Sequence, residues 1–174
     1  LQHWQEGRFH EAKVGRAEEQ IRRADVRSDW VHWLDPDKAG AAVTHYFERL
    51  ATLRDYLNRS LYLGLVETEA HFAVYPKGAS YTRHIDRFRD DDSRVISVVH
   101  YLNPIWSDAM GGQLRLYLDP ECQTYCDVLP SSGTLVVFLS DQVWHEVLPT
   151  ECPRLSITSW FRRRPLAVTC SVSC

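Results

Sequence analysis

The chain has 174 residues, 44% of them hydrophobic, and a formal net charge of −3 at pH 7. This length suffices for one substantial core and is short for two, so residues 1–174 are expected to form a single domain. The mildly negative charge gives no general attraction to nucleic acid or to an anionic membrane. No apolar run reaches the length of a membrane span, and LQHWQEGRFHEAK lacks the apolar stretch of a signal peptide. A cytoplasmic location without a membrane partner is therefore expected.

Residues 1–62 are expected to be a helical support with one early strand at about residues 26–34. Glu, Lys, Arg and Ala are abundant around residues 6–24, which favours a helix there. A second helix is predicted to follow Asp35 as its N-cap and Pro36 as its first residue. Apolar side chains then recur at helical spacing, which predicts an amphipathic helix lying on a flat surface: Val43, Phe47, Leu50, Leu53 and Leu57.

From residue 63 the apolar period changes to two, and turn signals such as YPKG, LDPE and PSSG follow at short intervals. Seven or eight short strands are predicted between these turns. Because no helix separates them, the pattern indicates an antiparallel sandwich or barrel with the N-terminal helices on one face. Residues 164–174 are left as a tail.

The five cysteines are odd in number, which argues against a disulfide framework and favours reduced thiols in a reducing compartment. Two Cys-x-x-x-Cys pairs are nevertheless present, and four thiolates would complete a tetrahedral zinc site. Structural zinc usually has tighter spacing, so free thiols are the preferred interpretation. Metal binding stays open for Cys122, Cys126, Cys170 and Cys174.

The stretch RHIDRF places His84 and Asp86 two residues apart on a predicted strand, so their side chains face the same side. Two ligands of one metal ion need this geometry, although an exposed polar strand face would produce the same pattern. A third ligand is required. His145 is the preferred candidate, because it follows an apolar strand and a short turn and would lie at the rim of a barrel.

Arg154 begins a strand on which it shares one face with Ser156, Thr158 and Trp160. A guanidinium buried on such a face needs an anionic partner, and arginine contacts a carboxylate at two points. Two histidines and one carboxylate are the ligand set of non-haem Fe(II) oxygenases. The combination indicates iron, a dicarboxylate cosubstrate and a remaining position for dioxygen.

Five segments, in this order, resemble motifs of the 2-oxoglutarate and Fe(II)-dependent oxygenases: HFAVYPKGASYTRHIDRF, VVHYLN, GGQLR, VFLSDQVWHEVLP and RLSITSWF. The resemblance covers roughly residues 27–163 and is to the prolyl 4-hydroxylase branch, specifically to bacterial relatives of the hypoxia-inducible-factor prolyl hydroxylases. The separation of His145 and Arg154 by nine positions matches that branch. The resemblance implies a mainly β fold, with a double-stranded β-helix (jelly-roll, cupin-like) core over residues 63–163 and supporting N-terminal α-helices.

The resemblance also implies roles for individual residues. His84, Asp86 and His145 would bind Fe(II), and Arg154 and Tyr101 would bind the distal carboxylate of 2-oxoglutarate. Further cosubstrate contacts are expected from Tyr75, Leu114 and Thr158, with plain barrel core as the alternative for Leu114. Substrate contacts are expected from Trp160 and from Arg27 and Asp29, for which a surface ion pair is the alternative. The resemblance assigns no role to Arg83 and Arg87, which are substrate-contact candidates because they flank the His-x-Asp pair.

The implied activity is peptidyl-proline 4-hydroxylation of a loop proline in a cytosolic protein, as in oxygen sensing. It would use Fe(II), 2-oxoglutarate and O2, with ascorbate as reductant, and release succinate and CO2. Nucleic-acid demethylation and small-molecule hydroxylation are alternatives with the same cofactors, and a non-catalytic sensor of oxygen or 2-oxoglutarate is a third. The basic runs RHIDRFR and FRRR suit phosphate contacts. The negative net charge and the His145 to Arg154 spacing favour a protein substrate.

Overall fold

The computed structural model describes residues 7–13, 23, 25–38, 40–87 and 91–164. Within these residues the chain forms one long helix, α1 (Gly40–Leu61), one short 3₁₀ turn (Asp108–Met110) and ten strands. The strands are β1 (His10–Glu11), β2 (Trp30–Trp33), β3 (Leu65–Tyr75), β4 (Tyr81–His84), β5 (Arg94–Tyr101), β6 (Leu114–Tyr117), β7 (Tyr125–Val128), β8 (Leu135–Leu139), β9 (His145–Val147) and β10 (Arg154–Arg163).

Two antiparallel sheets face each other. The larger has the strand order β1-β2-β3-β10-β5-β8, and the smaller has the order β4-β9-β6-β7. Consecutive strands of the chain alternate between the sheets from β3 to β6 and again from β7 to β10, as in a jelly roll. The mainly β, jelly-roll prediction is confirmed.

Strand alternation divides the apolar residues of the large sheet between two cores. One core fills the space between the sheets and includes Tyr75, Val99, Tyr101 and Phe138. The other lies under α1, where Leu50 and Leu65 pack with Ile96, Val98 and Phe161. From Ile96 onward, even-numbered positions of β5 thus face the helix, and odd-numbered ones face the interior between the sheets, where a ligand can be enclosed.

The helix begins later than predicted. It begins at Gly40, whereas Pro36–Lys38 form a turn in which the Asp35 carboxylate accepts a hydrogen bond from the backbone N–H of Asp37 (3.0 Å). The prediction of Asp35 as N-cap is wrong, because the side chain stabilises this local turn instead. Toward the carboxyl end, Asn58 holds both the N–H and the C=O of Leu65, which fixes the passage into β3.

The N-terminal region adds to the large sheet. The predicted early strand corresponds to β2, and a second strand, β1, lies within the segment expected to be helical. β1 pairs with β2 through His10 and Val31, so this part of the segment is held by the sheet edge. The helix predicted around residues 6–24 otherwise falls mostly outside the described residues, as does nearly all of the predicted tail.

Three cysteines lie in described parts of the chain, and Cys122, Cys126 and Cys152 are free thiols there. Cys170 and Cys174 are outside the described residues, so zinc binding by the two pairs stays untested. Within the described part of the chain, no helix is long and apolar enough to span a membrane.

Candidate active site

A cavity of about 360 Å³ opens between the two sheets. Residues of both sheets line it, and these include most of the residues singled out in the sequence. The predicted site residues among its lining are Arg27, Tyr75, His84, Asp86, Leu114, His145, Arg154, Thr158 and Trp160. The face shared by Arg154, Ser156, Thr158 and Trp160 on β10 is directed into this cavity, as the strand parity predicted.

His84, Asp86 and His145 come together at this cavity, with their ligand atoms all within 4.8 Å of one another. Asp86 Oδ1 is 3.6 Å from Nε2 of His84 and 3.7 Å from Nε2 of His145. The register that pairs β4 with β9 places His84 directly opposite His145. Three side chains from two adjacent strands and one loop are therefore close enough for a single metal ion to contact all of them.

The hydrogen bonds of the two histidines leave their ε nitrogens ready to bind a metal. His84 Nδ1 lies 2.7 Å from the Thr82 carbonyl oxygen, and His145 Nδ1 lies 3.0 Å from the Val143 carbonyl oxygen. Because a carbonyl oxygen only accepts, each Nδ1 carries the hydrogen and each Nε2 presents a lone pair toward Asp86.

Electrostatics keeps the site in its metal-binding protonation state. Burial lowers the pKa of His145, which favours its neutral form. Burial alone would raise the pKa of Asp86, but His145, His84 and the hydroxyl of Ser97 together hold it far below the usual range. A neutral imidazole and an ionised carboxylate are the forms that ligate a divalent cation.

Asp86 does not lie on a strand, contrary to the sequence prediction. β4 ends at His84, and Asp86 sits in the bend that follows. The backbone N–H groups of Asp86 and Arg87 both donate to the carbonyl oxygen of Ser140 (3.1 Å each). Ser97 Oγ is 2.6 Å from Asp86 Oδ2, so hydrogen bonds rather than strand pleating direct this carboxylate.

Arg154 is almost completely buried, with 1% of its surface exposed. Its Nε donates to the Gly112 carbonyl oxygen (2.8 Å), and its guanidinium lies 4.9 Å from the ring centre of Tyr75 and 5.0 Å from that of Tyr101. In the part of the chain that the structure describes, it forms no ion pair with a carboxylate. A buried cation without an anionic partner fits a site for a carboxylate ligand.

Tyr101 lies beside the guanidinium of Arg154. Burial raises the pKa of its hydroxyl, which favours the protonated form that can donate a hydrogen bond, although neighbouring Arg154 opposes the rise. Tyr101 is fully buried, yet no described residue meets hydrogen-bond geometry with that hydroxyl. A cation and a buried hydroxyl beside each other fit the carboxylate of 2-oxoglutarate, and the nearby two-histidine, one-aspartate cluster fits Fe(II).

Tyr75, Leu114 and Thr158 line the cavity on three different strands. Burial raises the pKa of the Tyr75 hydroxyl, so this side chain stays protonated at neutral pH. Leu114 is 2% exposed and also belongs to the core between the sheets, which leaves both of its predicted roles compatible with its place.

Arg27 and Asp29 are linked through an aromatic ring to His84, one of the three clustered candidate ligands. Arg27 donates twice to the buried Asp29 carboxylate (2.8 and 2.7 Å), and its guanidinium lies 4.5 Å from the ring centre of Tyr81. The ring of Tyr81 stacks on that of His84 at 3.6 Å. The pair is therefore not a surface ion pair, because Asp29 is 1% exposed and Arg27 lines the cavity.

An aromatic wall, defined as Trp33, His71 and Trp160, lies along another part of the cavity. The ring of His71 lies 5.0 Å from that of Trp33 and 5.3 Å from that of Trp160. Trp160 is 5% exposed, and its indole N–H lacks a hydrogen-bond partner among the described residues. Arg94 covers the indole at 3.7 Å and donates to Glu69 (2.7 Å), and both residues also line the cavity.

Arg83 and Arg87 do not line the cavity. Arg83 lies over the ring of Tyr117 at 5.5 Å, and Arg87 forms an ion pair with Asp141 (2.9 Å). Their predicted substrate contacts find no support in these positions, and for Arg87 the contact with Asp141 indicates a structural role.

The sequence interpretation missed several residues of the site. Ser97 and Ser140 went unnoticed because isolated serines within apolar strands carry no motif. His71 on β3 and Trp33 on β2 were not singled out, although both line the cavity. Glu69 on β3 and Arg94 on β5 give no local signal, since they meet across the intervening strand β10.

Comparison with known proteins agrees with this geometry. The family model described as the 2OG-Fe(II) oxygenase superfamily matches residues 70–162. A prolyl-4-hydroxylase from Pseudomonas putida is 45% identical, with a TM-score of 0.84 over 94% of this chain and 81% of that one. A prolyl hydroxylase from Trichoplax adhaerens, solved with a peptide fragment of the hypoxia inducible factor oxygen degradation domain, is 29% identical (TM-score 0.80; 91% and 72% covered).

A curated relative shows the same likeness. The hypoxia-inducible factor prolyl hydroxylase of Caenorhabditis elegans is 33% identical over 146 residues, which are 79% of this chain and 20% of that protein. This chain thus spans about a fifth of that relative's length. The resemblance seen in the sequence motifs is confirmed, and with it the expectation of Fe(II), 2-oxoglutarate and O2 as cofactors. Since the family model covers more than half of its residues, the chain belongs to the 2OG-Fe(II) oxygenase superfamily.

Proposed function

We propose that the protein is a peptidyl-proline 4-hydroxylase acting on a loop proline of a cytosolic protein, with release of succinate and CO2. The observation that carries the proposal is the aromatic wall of Trp33, His71 and Trp160, which lies in the same cavity as the cluster of His84, Asp86 and His145. A proline ring is apolar and flat-sided, so aromatic rings are suited to hold it.

Similar proteins support a peptide as substrate. The Pseudomonas putida protein is named a prolyl-4-hydroxylase, and the Trichoplax adhaerens structure contains a peptide fragment. The indole N–H of Trp160, which has no acceptor among the described residues, offers a hydrogen-bond donor in the wall, and a backbone carbonyl of a peptide is a matching acceptor.

Individual residues would divide the work as follows. Nε2 of His84 and His145 and Oδ1 of Asp86 would hold iron, and Arg154 with the hydroxyl of Tyr101 would bind a carboxylate of 2-oxoglutarate. Iron and 2-oxoglutarate, when bound, supply the oxidising chemistry with O2. The chain orients one C–H bond and excludes water.

Apolar side chains that line the cavity support this exclusion of water. Val99, Leu114 and Val147 are nearly fully buried and line the cavity. Arg27 and Asp29, which support Tyr81 and through it His84, would keep one ligand in place, and Tyr75 and Thr158 would shape the cosubstrate pocket.

Within the basic runs that would suit nucleic acid, three arginines pair with neighbouring carboxylates. Arg162 pairs with Glu67 and Glu69 (3.4 and 3.5 Å), Arg163 pairs with Asp92, and Arg87 pairs with Asp141. Phosphate contacts need free cationic side chains, so this pairing favours a protein substrate over nucleic acid. The presence of the whole ligand set together with Arg154 favours a catalyst over a silent sensor.

The test is incubation of the protein with Fe(II), 2-oxoglutarate, ¹⁸O₂ and a cell lysate, followed by peptide mass spectrometry. We expect a proline that gains one ¹⁸O atom with the wild-type protein and not with Asp86→Ala. A label confined to other residue types, or loss of methyl groups from added nucleic acid with no labelled proline, would replace prolyl hydroxylation by another reaction of the superfamily.

A further inference from the structure

Asp86 lies beyond the end of β4 and depends on contacts with other segments for its position. β4 has already ended at His84, and the bend that follows is anchored by two backbone hydrogen bonds to the carbonyl oxygen of Ser140, just beyond β8. These bonds hold the backbone of Asp86. They leave the orientation of its carboxylate free.

A pair of serines, Ser97 and Ser140, reaches the carboxylate itself. Ser97 Oγ lies 2.6 Å from Asp86 Oδ2 and 2.8 Å from Ser140 Oγ. An ionised carboxylate only accepts hydrogen bonds, so the single hydroxyl hydrogen of Ser97 must be donated to Asp86. The hydroxyl of Ser140 is then the donor to Ser97, and the direction of both bonds is fixed.

Both serines have 0% of their surface exposed. Ser97 faces the core between the sheets on β5, as does Val99, and Ser140 follows the apolar strand β8. A buried hydroxyl is costly unless it is hydrogen-bonded. The two buried hydroxyls form a chain that ends on one oxygen of Asp86. Packing alone does not explain them, since valine would fill an interior strand position without burying a hydroxyl.

The two oxygens of Asp86 consequently have different surroundings. Oδ2 accepts from Ser97, whereas Oδ1 faces Nε2 of His84 and of His145 at 3.6 and 3.7 Å. We infer that the serine pair positions Asp86 so that it offers a metal one oxygen only, and that it thereby sets the metal affinity of the site. The inference rests on the proposed assignment of His84, Asp86 and His145 as the iron ligands.

The hydroxyl of Ser97 acts on the carboxylate of Asp86 and does not hold the bend after β4. Replacement of Ser97 by alanine leaves both backbone hydrogen bonds to Ser140 in place, so the bend after β4 keeps its anchor. The hydrogen bond to Oδ2 and the one from Ser140 to Ser97 are lost, and the carboxylate becomes free to rotate. Groups that hold a metal ligand in this way typically contribute 10- to 100-fold to metal affinity.

The experiment measures Mn(II) binding to the full chain, by electron paramagnetic resonance of the free ion, without substrate or turnover. We expect Ser97→Ala to weaken Mn(II) binding roughly 10- to 100-fold, and Ser97→Thr, which retains the hydroxyl, to restore most of it. Ser159→Ala is the matched control, because Ser159 is equally buried on β10 but its hydroxyl bonds to Tyr46 on the helix side of the sheet. Wild-type affinity is expected for this control.

Wild-type Mn(II) affinity in Ser97→Ala would overturn the inference, as would an equal loss in Ser159→Ala. If Ser97→Ala does not fold, Ser140→Ala decides, because it removes only the donor to Ser97; the inference predicts a weakened affinity here too, and an unchanged one refutes it. Asp86→Ala in the same titration distinguishes a failure of the serine inference from a failure of the ligand assignment. Binding lost in Asp86→Ala but kept in the serine variants rejects only the serine pair, whereas binding kept in Asp86→Ala rejects the ligand assignment.

Discussion

Replacement of Tyr101 by phenylalanine removes a single oxygen atom from the corner beside Arg154. The hydroxyl is fully buried and meets hydrogen-bond geometry with no described residue, so its removal loses only its interaction with the neighbouring Arg154 guanidinium. If the hydroxyl serves the carboxylate of 2-oxoglutarate, the substitution acts on ligand binding and on stability in opposite directions.

The expected magnitudes follow from this burial. A hydrogen bond to a charged group contributes about 1.5–3 kcal/mol, so 2-oxoglutarate affinity should fall roughly 10- to 150-fold. A buried, unsatisfied hydroxyl costs about 1–3 kcal/mol. The ligand-free variant should therefore be as stable as the wild type or more stable by about 1 kcal/mol, which raises Tm by about 2–4 °C for a chain of this size.

Calorimetric titration of 2-oxoglutarate in the presence of Mn(II) measures the first quantity, and thermal unfolding without ligand measures the second. Tyr117→Phe is the matched control, because its hydroxyl lies on the smaller sheet and donates to Glu146 (2.6 Å) outside the cavity. It should leave 2-oxoglutarate affinity unchanged. Unchanged affinity in Tyr101→Phe, or a ligand-free stability lower by 1 kcal/mol or more, would refute the role assigned to this hydroxyl.

Further expectations concern the charge, shape and protonation of the cavity. Arg154→Lys keeps the charge but loses the two-point contact, so the concentration of 2-oxoglutarate needed for half-maximal turnover should rise at least about tenfold. Arg115→Lys on the smaller sheet is the control and should not change that concentration. The same concentration in Arg154→Lys and the wild type would count against the carboxylate site. Gly112→Ala should have a similar effect, because a Cβ there meets the Arg154 side chain at 3.1 Å and φ is +67°; normal cosubstrate titration would contradict this. Burial, with help from Arg27, lowers the pKa of His71 from 6.5 to about 4, so only the unfolded chain takes up this proton as the pH falls through that window. Stability should then decrease by about 1.4 kcal/mol per pH unit on acidification, and His71→Gln should flatten this dependence in urea unfolding. An unaltered slope would show that His71 is protonated in the folded state.

The sequence was informative where a pattern is local. His84 and Asp86 are separated by one residue, and the strand parity of β10 correctly predicted that Arg154 and Trp160 face one cavity. His145 was placed from the apolar strand before it and does begin a strand opposite His84. These relations require only the alternation of side chains along a strand.

Contacts between distant segments were not accessible in the same way. Ser97 and Ser140 are 43 positions apart, and a serine in an apolar strand has no pattern that names its partner. The prediction that Asp86 lies on the strand failed for the same reason, because Ser140 ends the alternation after His84 by holding the next backbone groups. The helix start was misplaced because Asp35 stabilises a turn with the same residue type that caps helices.

The central claim is that the cluster of His84, Asp86 and His145 is the iron centre of a 2-oxoglutarate-dependent oxygenase. Succinate formed from 2-oxoglutarate under air, with Fe(II) and the lysate fraction that contains the hydroxylated protein, tests it most directly. The wild type should form succinate in step with hydroxyproline, and His84→Ala, Asp86→Ala and His145→Ala should each reduce both to background. Full succinate production by any of these three folded variants would contradict the assignment of that residue as an iron ligand.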